Sequence, residues 1–307
     1  MKKVILRCAN GLGNQMFLYA FAYVVSQKLN RILKIDTQSG FSKKLYFKNK
    51  REIKYALNIF NISASRANKN ECFNSFLKNI KRKFLKKIDI FKTKKLFINE
   101  NKYQTNTIIY NKLINNKLLN DSVYIEGYFQ SANYFKEFRN ELINEFKIKK
   151  KVTPLIKYKS KILSSNSVAL AIRSDRFNEQ VKDINKKKIV RSLQFEHNQV
   201  TYINRAIKYF KNELNKPIFF LFSDSPSKFN AMFKKEKNLI IIEKHNKNKI
   251  YEDYYLMSLC KHFAVAPTAF NFWPAWLCNY DKKICLRPKN LNPSNNKAYW
   301  PREWEAI

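Results

Sequence analysis

The stretch VILRCANGLGNQMFLYAFAYVVSQKLNRILKI, residues 4–35, decides how the fold is read. Val4–Leu6 is a short apolar run suited to a strand, and a glycine-bearing turn follows it. Residues from about Gln15 to Leu29 read as a helix and Ile32–Ile35 as a second strand, so the chain opens on a β-α-β unit. The turn is not a dinucleotide fingerprint, which needs a glycine at 16 where Met16 stands. Nor is it a Walker loop, since no Gly-Lys-Ser/Thr follows. Its amides still open a helix and favour an anion. Asn14 either adds a side chain that both donates and accepts, or simply caps that helix.

The second half repeats the pattern. VALAI (168–172), IFFLF (218–222), LIII (239–242), FAVA (263–266) and KICL (283–286) read as strands. Between them, 199–214, a segment after Ser225-Pro226, YEDYYLMSLCKH and 268–278 read as helices, with Ser225 as an N-cap. Continuous apolar strands alternating with helices predict parallel sheets covered on both faces. The class is therefore α/β, with two Rossmann-like domains expected to face each other across a cleft. The first spans 1–150 and carries a basic helical insertion over about 41–120. Residues 147–167 form a polar connector broken at Pro154, 151–290 form the second domain, and 291–307 are a tail.

A length of 307 residues suits two domains, and 45% hydrophobic with 15% aromatic residues excludes a disordered chain. Sixty Lys and Arg against 23 Asp and Glu leave a net charge of +37. That field favours an anionic partner, or else reflects a composition rich in Lys, Asn and Ile together. Five scattered cysteines without a CxxC pair point to a reducing cytosol. Three apolar residues before Arg7 are too few for a signal peptide. The longest apolar run, MFLYAFAYVV, has 10 residues where a membrane span needs ~20. A cytoplasmic protein is expected, soluble or peripheral on the inner face of the plasma membrane. His197, His245 and His262 lie far apart and no DxD or HxxxH spacing occurs, so no metal site is expected.

In open α/β sheets ligands bind beyond the carboxyl ends of the strands. Here those ends carry Arg173-Ser174-Asp175-Arg176, Ser223-Asp224-Ser225, Glu243 and Pro267-Thr268. Arginine, hydroxyls and helix N-termini together suit a phosphate group, while each alone is also an ordinary strand-to-helix turn.

Four segments resemble glycosyltransferase family 11, the α-1,2-fucosyltransferase family with bacterial members. GLGNQMFLYAFA resembles its GGLGNQMFQYA opening, and IEGYFQSANYF its GYFQSxxYF segment. FLFSDSPSKF is similar to FSDDxxW, and EDYYLMSLCKHFAVAPTAFNFWPAWL to DxxLMSxCxHxIxxNSxFSWWxAWL. The resemblance implies a GT-B architecture, a GDP-fucose donor, no cofactor or required metal, and inversion at the anomeric carbon. It places Gly11, Gly13 and Asn14 beside the donor diphosphate and Ser223 and Asp224 at the nucleotide. Asp253 and His262 would support the donor domain, and Thr268 would bond a phosphate. Arg173 matches the first arginine of the family's HxRRGD motif and would bind the β-phosphate. Without gaps, Ala171, Ser174, Asp175 and Arg176 stand for the motif's His, second Arg, Gly and Asp. Those departures leave a related deoxysugar nucleotide open as the donor.

For catalysis, Arg173 with helix N-termini would stabilise the departing diphosphate, with Arg176 beside it. Asp175 is the first candidate for the base and Glu126 the second. The acceptor would be a glycan of surface polysaccharide or lipopolysaccharide, lipid-linked in one reading. KRKFLKKIDIFKTKK (81–95) places Phe84, Ile88 and Phe91 among lysines, as an interfacial helix would. A nucleic-acid-binding protein is the rival class, but the basic residues follow no recognised motif and no nucleic acid is expected as partner.

Overall fold

The computed structural model describes residues 1–41, 53–100, 116–149, 156–174, 186–243, 250–294 and 296–307. The chain divides into two compact units. The first comprises the described residues of Met1–Phe47, Ile53–Lys147 and Ser294–Pro301; the second comprises those of Ile148–Pro293 and Arg302–Ile307. The last residues are thus shared, with Ser131 Oγ donating to the Ala298 carbonyl at 2.6 Å in the first unit.

In the first unit, β1 (Lys3–Ala9), α1 (Leu12–Leu29) and β2 (Ile32–Gly40) form the opening β-α-β. The helix begins at Leu12, so Gly13 and Asn14 lie in its first turn and only Asn10 and Gly11 form the loop. It is apolar almost all round and accordingly buried, the pattern of a core helix and not of a surface one. Asn30, at φ 50°, ends it by donating its N–H to the Gln27 and Ser26 carbonyls. β3 (Ser65–Arg66), α2 (Phe76–Ile88), β4 (Lys95–Asn99), β5 (Leu119–Glu126) and α3 (Arg139–Glu145) follow. The described part of residues 41–120 therefore supplies the strands β3 and β4 as well as the helix α2. The sheet is parallel, in the order β3-β2-β1-β5-β4. At Gly40 a Cβ would stand 1.8 Å from the Cys8 carbonyl oxygen, so only glycine lets β2 close on the irregular end of β1.

The second unit contains α4 (Ile156–Leu163), β6 (Asn166–Ile172), α5 (Lys186–Glu213), β7 (Pro217–Ser223), β8 (Leu239–Ile241) and α6 (Ile250–Ser258). It ends with β9 (His262–Ala264), α7 (Ala269–Leu277), β10 (Cys285–Arg287) and β11 (Glu305–Ala306). All six strands are parallel, in the order β11-β10-β9-β6-β7-β8. Val168, Leu170 and Ile172 of β6 share one core with Tyr202, Ile203, Ala206 and Phe210 of α5. Two local expectations are corrected. Part of the connector is the helix α4, with Tyr158 and Ile162 buried; Pro154 lies outside the described residues. After Ser225 there is a 3-10 turn, Pro226–Phe229, in place of a helix. Ser225 makes no side-chain capping bond and Met232 is exposed, so Phe229 and Phe233 supply the buried apolar anchors of the segment.

Among the described residues no helix is long and apolar enough to cross a membrane.

Candidate active site

The strand order of the second unit fixes its ligand edge. The chain steps from β6 to β7 to β8 on one side, then returns to lay β9 on the other side of β6. The crevice at such a reversal lies beyond the carboxyl ends of β6 and β9. Arg173 and Ser174 follow β6, and Ser223-Asp224 ends the neighbouring β7. Val265–Thr268 follows β9 and leads into α7.

These groups are held by one another. Arg173 Nη1 pairs with Asp224 Oδ2 at 3.2 Å, and Asp224 Oδ1 accepts the Ser174 N–H at 2.8 Å. Asp224 is thus a positioning residue for the end of β6, and the arginine side chain keeps 25% of its surface exposed. The Ser223 hydroxyl accepts the Ser225 N–H at 3.1 Å, shaping the turn. Thr268 is the N-cap of α7, its oxygen accepting from the Asn271 N–H at 3.4 Å and from Asn271 Nδ2 at 2.9 Å. As acceptor twice, the hydroxyl keeps its own proton to donate, beside the free first amides of α7. A guanidinium, a hydroxyl and a helix N-terminus follow the ends of neighbouring strands at one switch point, residue types suited to an anion.

Gln199 was not foreseen. It is fully buried on α5, accepts the Arg173 N–H at 2.9 Å and donates to the Arg173 carbonyl at 2.7 Å. The available signal was a polar residue on the apolar stripe that continues through Tyr202, Ile203 and Ala206.

The first unit carries a cavity of about 550 Å³ at the carboxyl ends of β1, β2, β4 and β5, lined among others by Arg7, Asn10, Lys86, Glu100, Glu126 and Tyr128. Glu126, at the end of β5, is buried and takes Arg82 Nη1 on both oxygens at 2.5 and 2.6 Å and Lys86 Nζ at 3.0 Å. It anchors α2 to the sheet. Glu100, also unforeseen, accepts the Tyr128 N–H at 3.1 Å, the Phe129 N–H, and the Tyr134 hydroxyl at 3.0 Å. Burial pushes its carboxyl up, and those three donors oppose the shift. It fixes the turn of the GYFQ segment, where Gly127 has φ +156° and a Cβ would stand 2.7 Å from the Glu100 Cβ.

Gly11 faces open space, where a Cβ would meet nothing within 4 Å. Among the described residues no packing demands a glycine there, and as the N-cap of α1 it occupies a position that glycine favours. Asn14 is half-buried, and its carboxamide oxygen accepts from Gln130 Nε2. It therefore ties α1 to the GYFQ segment and does not cap its helix, whose N-cap is Gly11.

His262 is not at the ligand edge. It opens β9 opposite Val168, five residues before Arg173, roughly 16 Å back along the sheet. Burial lowers it to about 4, with Lys261 adding to the effect, and its Nδ1 accepts the Ile284 N–H at 3.2 Å. It is a neutral core histidine. Asp253 lies in the first turn of α6, where a carboxylate complements the helix dipole. Asp175 and Arg176 lie outside the described residues. Among the described residues no group of three His, Cys, Asp or Glu could hold a metal ion.

Two parallel-sheet α/β units, one with Arg173, Asp224 and Thr268 at its strand ends and one with a polar cavity, have the architecture of a two-domain glycosyltransferase. The chain belongs to glycosyl transferase family 11, whose model matches residues 3–307. It is similar to an α-1,2-colitosyltransferase of Escherichia coli, 30% identical with 100% of this chain and 99% of that protein covered. A second E. coli relative, the O-antigen biosynthesis glycosyltransferase WbnK, is 26% identical over 94% of this chain and 95% of its own length. Among solved structures, the fucosyltransferase NodZ from Bradyrhizobium matches 89% of this chain and 92% of its own, at 12% identity and a TM-score of 0.49.

Proposed function

We propose that the protein transfers fucose from GDP-fucose to a hydroxyl of a glycan acceptor in the assembly of an O-antigen-type surface polysaccharide. The observation that carries this reading is Arg173, pinned at the end of β6, whose neighbouring strand β9 leads into α7. In an inverting transfer the acceptor oxygen bonds to the anomeric carbon as the bond from that carbon to the β-phosphate oxygen breaks. The electron pair leaves with the diphosphate. Arg173, the Thr268 hydroxyl and the α7 amides stabilise that charge, so the reading requires no metal for this task. The acceptor proton passes to a base. Asp175 takes that role in this reading, because both oxygens of Glu126 are engaged by Arg82 and Lys86. The polar cavity of the first unit suits a sugar, with Asn10, Asn99 and Tyr128 on its wall. The acceptor is lipid-linked, and the protein works peripherally on the inner face of the plasma membrane.

The donor sugar has a second reading. The relative that matches the full chain is named for colitose, itself a deoxysugar, so a deoxysugar other than fucose on the same nucleotide fits the altered arginine motif. A thermal-shift panel of nucleotide sugars tests the reading. GDP and GDP-fucose should raise the melting temperature while UDP and CMP sugars leave it unchanged; stabilisation by UDP or CMP sugars alone would overturn it.

A further inference from the structure

Helix α2 is mounted inside out. With about 100° per residue, Arg82 and Lys86 fall on one side and Phe76, Leu77, Ile80 and Phe84 within about 100° of arc on the other. The basic side faces the protein, where Arg82 and Lys86 hold Glu126. The apolar side faces out, and no residue of the helix is buried. Phe76, Leu77, Ile80, Phe84 and, past the helix end, Phe91 are between 49% and 88% exposed. Lys81 and Lys83 flank the stripe and Lys87 lies within it, all exposed. The one acid of the segment, Asp89, is buried, accepting the Leu96 and Phe97 N–H groups at 2.7 and 3.0 Å.

We infer that this face of α2 docks on an anionic lipid bilayer. Five large apolar side chains rimmed by lysines, with no exposed acid in the segment 76–91, match an interface of acyl chains beneath anionic headgroups. A second copy of the chain is a poor occupant, since face-to-face pairing would set Lys81, Lys83 and Lys87 of both copies together. The other side of the same helix supplies Lys86 to the wall of the polar cavity. A docked bilayer would lie about one helix diameter, ~10 Å, from that cavity, within reach of a glycan still attached to its lipid. This deepens the reading above, from which it takes the lipid-linked acceptor; the two fail separately, because docking is measured without donor or acceptor.

The test is flotation of the full chain with vesicles of phosphatidylethanolamine and phosphatidylglycerol, against phosphatidylcholine vesicles, at low and high salt. The protein should float with the anionic vesicles alone, and less at high salt. A Phe76→Ser, Phe84→Ser double variant should lose roughly tenfold or more in binding. Lys81→Glu with Lys83→Glu should lose more than tenfold, each lysine contributing roughly fivefold. Thermal unfolding confirms that each variant folds. Absence of binding to anionic vesicles at low salt overturns the inference. So does a solution dimer that the Phe76→Ser, Phe84→Ser variant dissociates, which would make this face an interface between copies.

Discussion

The side chain of Gln199 completes the backbone of Arg173, taking its N–H and giving to its carbonyl as a neighbouring strand would. The residue that would meet the diphosphate is therefore oriented by an uncharged, buried carboxamide on a different element. Gln199→Leu removes two hydrogen bonds to the partly buried Arg173 backbone, at about 0.5–1.5 kcal/mol each. A lower melting temperature is expected, with a loss of GDP-induced stabilisation. Gln199→Glu keeps the acceptor and loses the donor, and should fall between wild type and Gln199→Leu in both measurements.

Asp224 holds the other end of the arrangement, through the Arg173 guanidinium and the Ser174 N–H. Asp224→Asn keeps one acceptor oxygen but removes the charge. Loss of one charge-assisted bond, about 1.5–3 kcal/mol, lowers turnover by roughly 10–100-fold. Steady-state kinetics at saturating donor check this, and unchanged turnover would show that the arginine needs no such partner.

Glu126 separates an anchor from a base. As anchor of α2, its replacement by Gln should lower stability by about 1–3 kcal/mol, because Arg82 is left without its carboxylate. A catalytic base would instead lose 10²–10⁴-fold in turnover at nearly constant stability, by the typical contribution of such groups. Denaturant unfolding and kinetics on the same Glu126→Gln sample distinguish the two.

His262 gives a pH dependence of known sign. Its folded value is lowered to about 4 from 6.5, so the unfolded chain binds the proton first as pH falls. Stability is at its full value above 6.5 and declines as the pH drops towards about 4. His262→Asn, whose carbonyl oxygen can replace Nδ1 as acceptor for the Ile284 N–H, should flatten melting temperature against pH across that window. An identical slope in both proteins would contradict the assignment.

Much of the ligand edge was legible in the sequence. The apolar runs at 168–172, 218–222 and 263–266 mark strands whatever their order, and the residues after them lie at carboxyl ends by polarity alone. Arg173, Asp224 and Thr268 were found in that way. Strand order was not legible, because pairing is set by long-range packing between interchangeable apolar strands. For the same reason His262, two residues from the ligand-facing end of a three-residue strand, could not be told from a site residue. Gln199 shows in the sequence only as a polar residue on an apolar stripe; its role was hidden because its partners are backbone atoms, which carry no sequence signal. The spacing of Phe84, Ile88 and Phe91 predicts a helix over 81–95. The helix instead spans Phe76–Ile88, and its exposed stripe runs through Phe76, Leu77, Ile80 and Phe84. Which side points out depends on Glu126, 40 residues further on from Lys86.

The most direct measurement is turnover of Arg173→Ala with GDP-fucose and a glycan acceptor. Removing one charge-stabilising donor should lower kcat by roughly 10²–10³-fold, with the protein still folded at the assay temperature although its unfolding temperature falls because Asp224 loses its guanidinium. Turnover near that of the wild type would contradict the account at its centre, because the charge of the leaving diphosphate would then be met elsewhere.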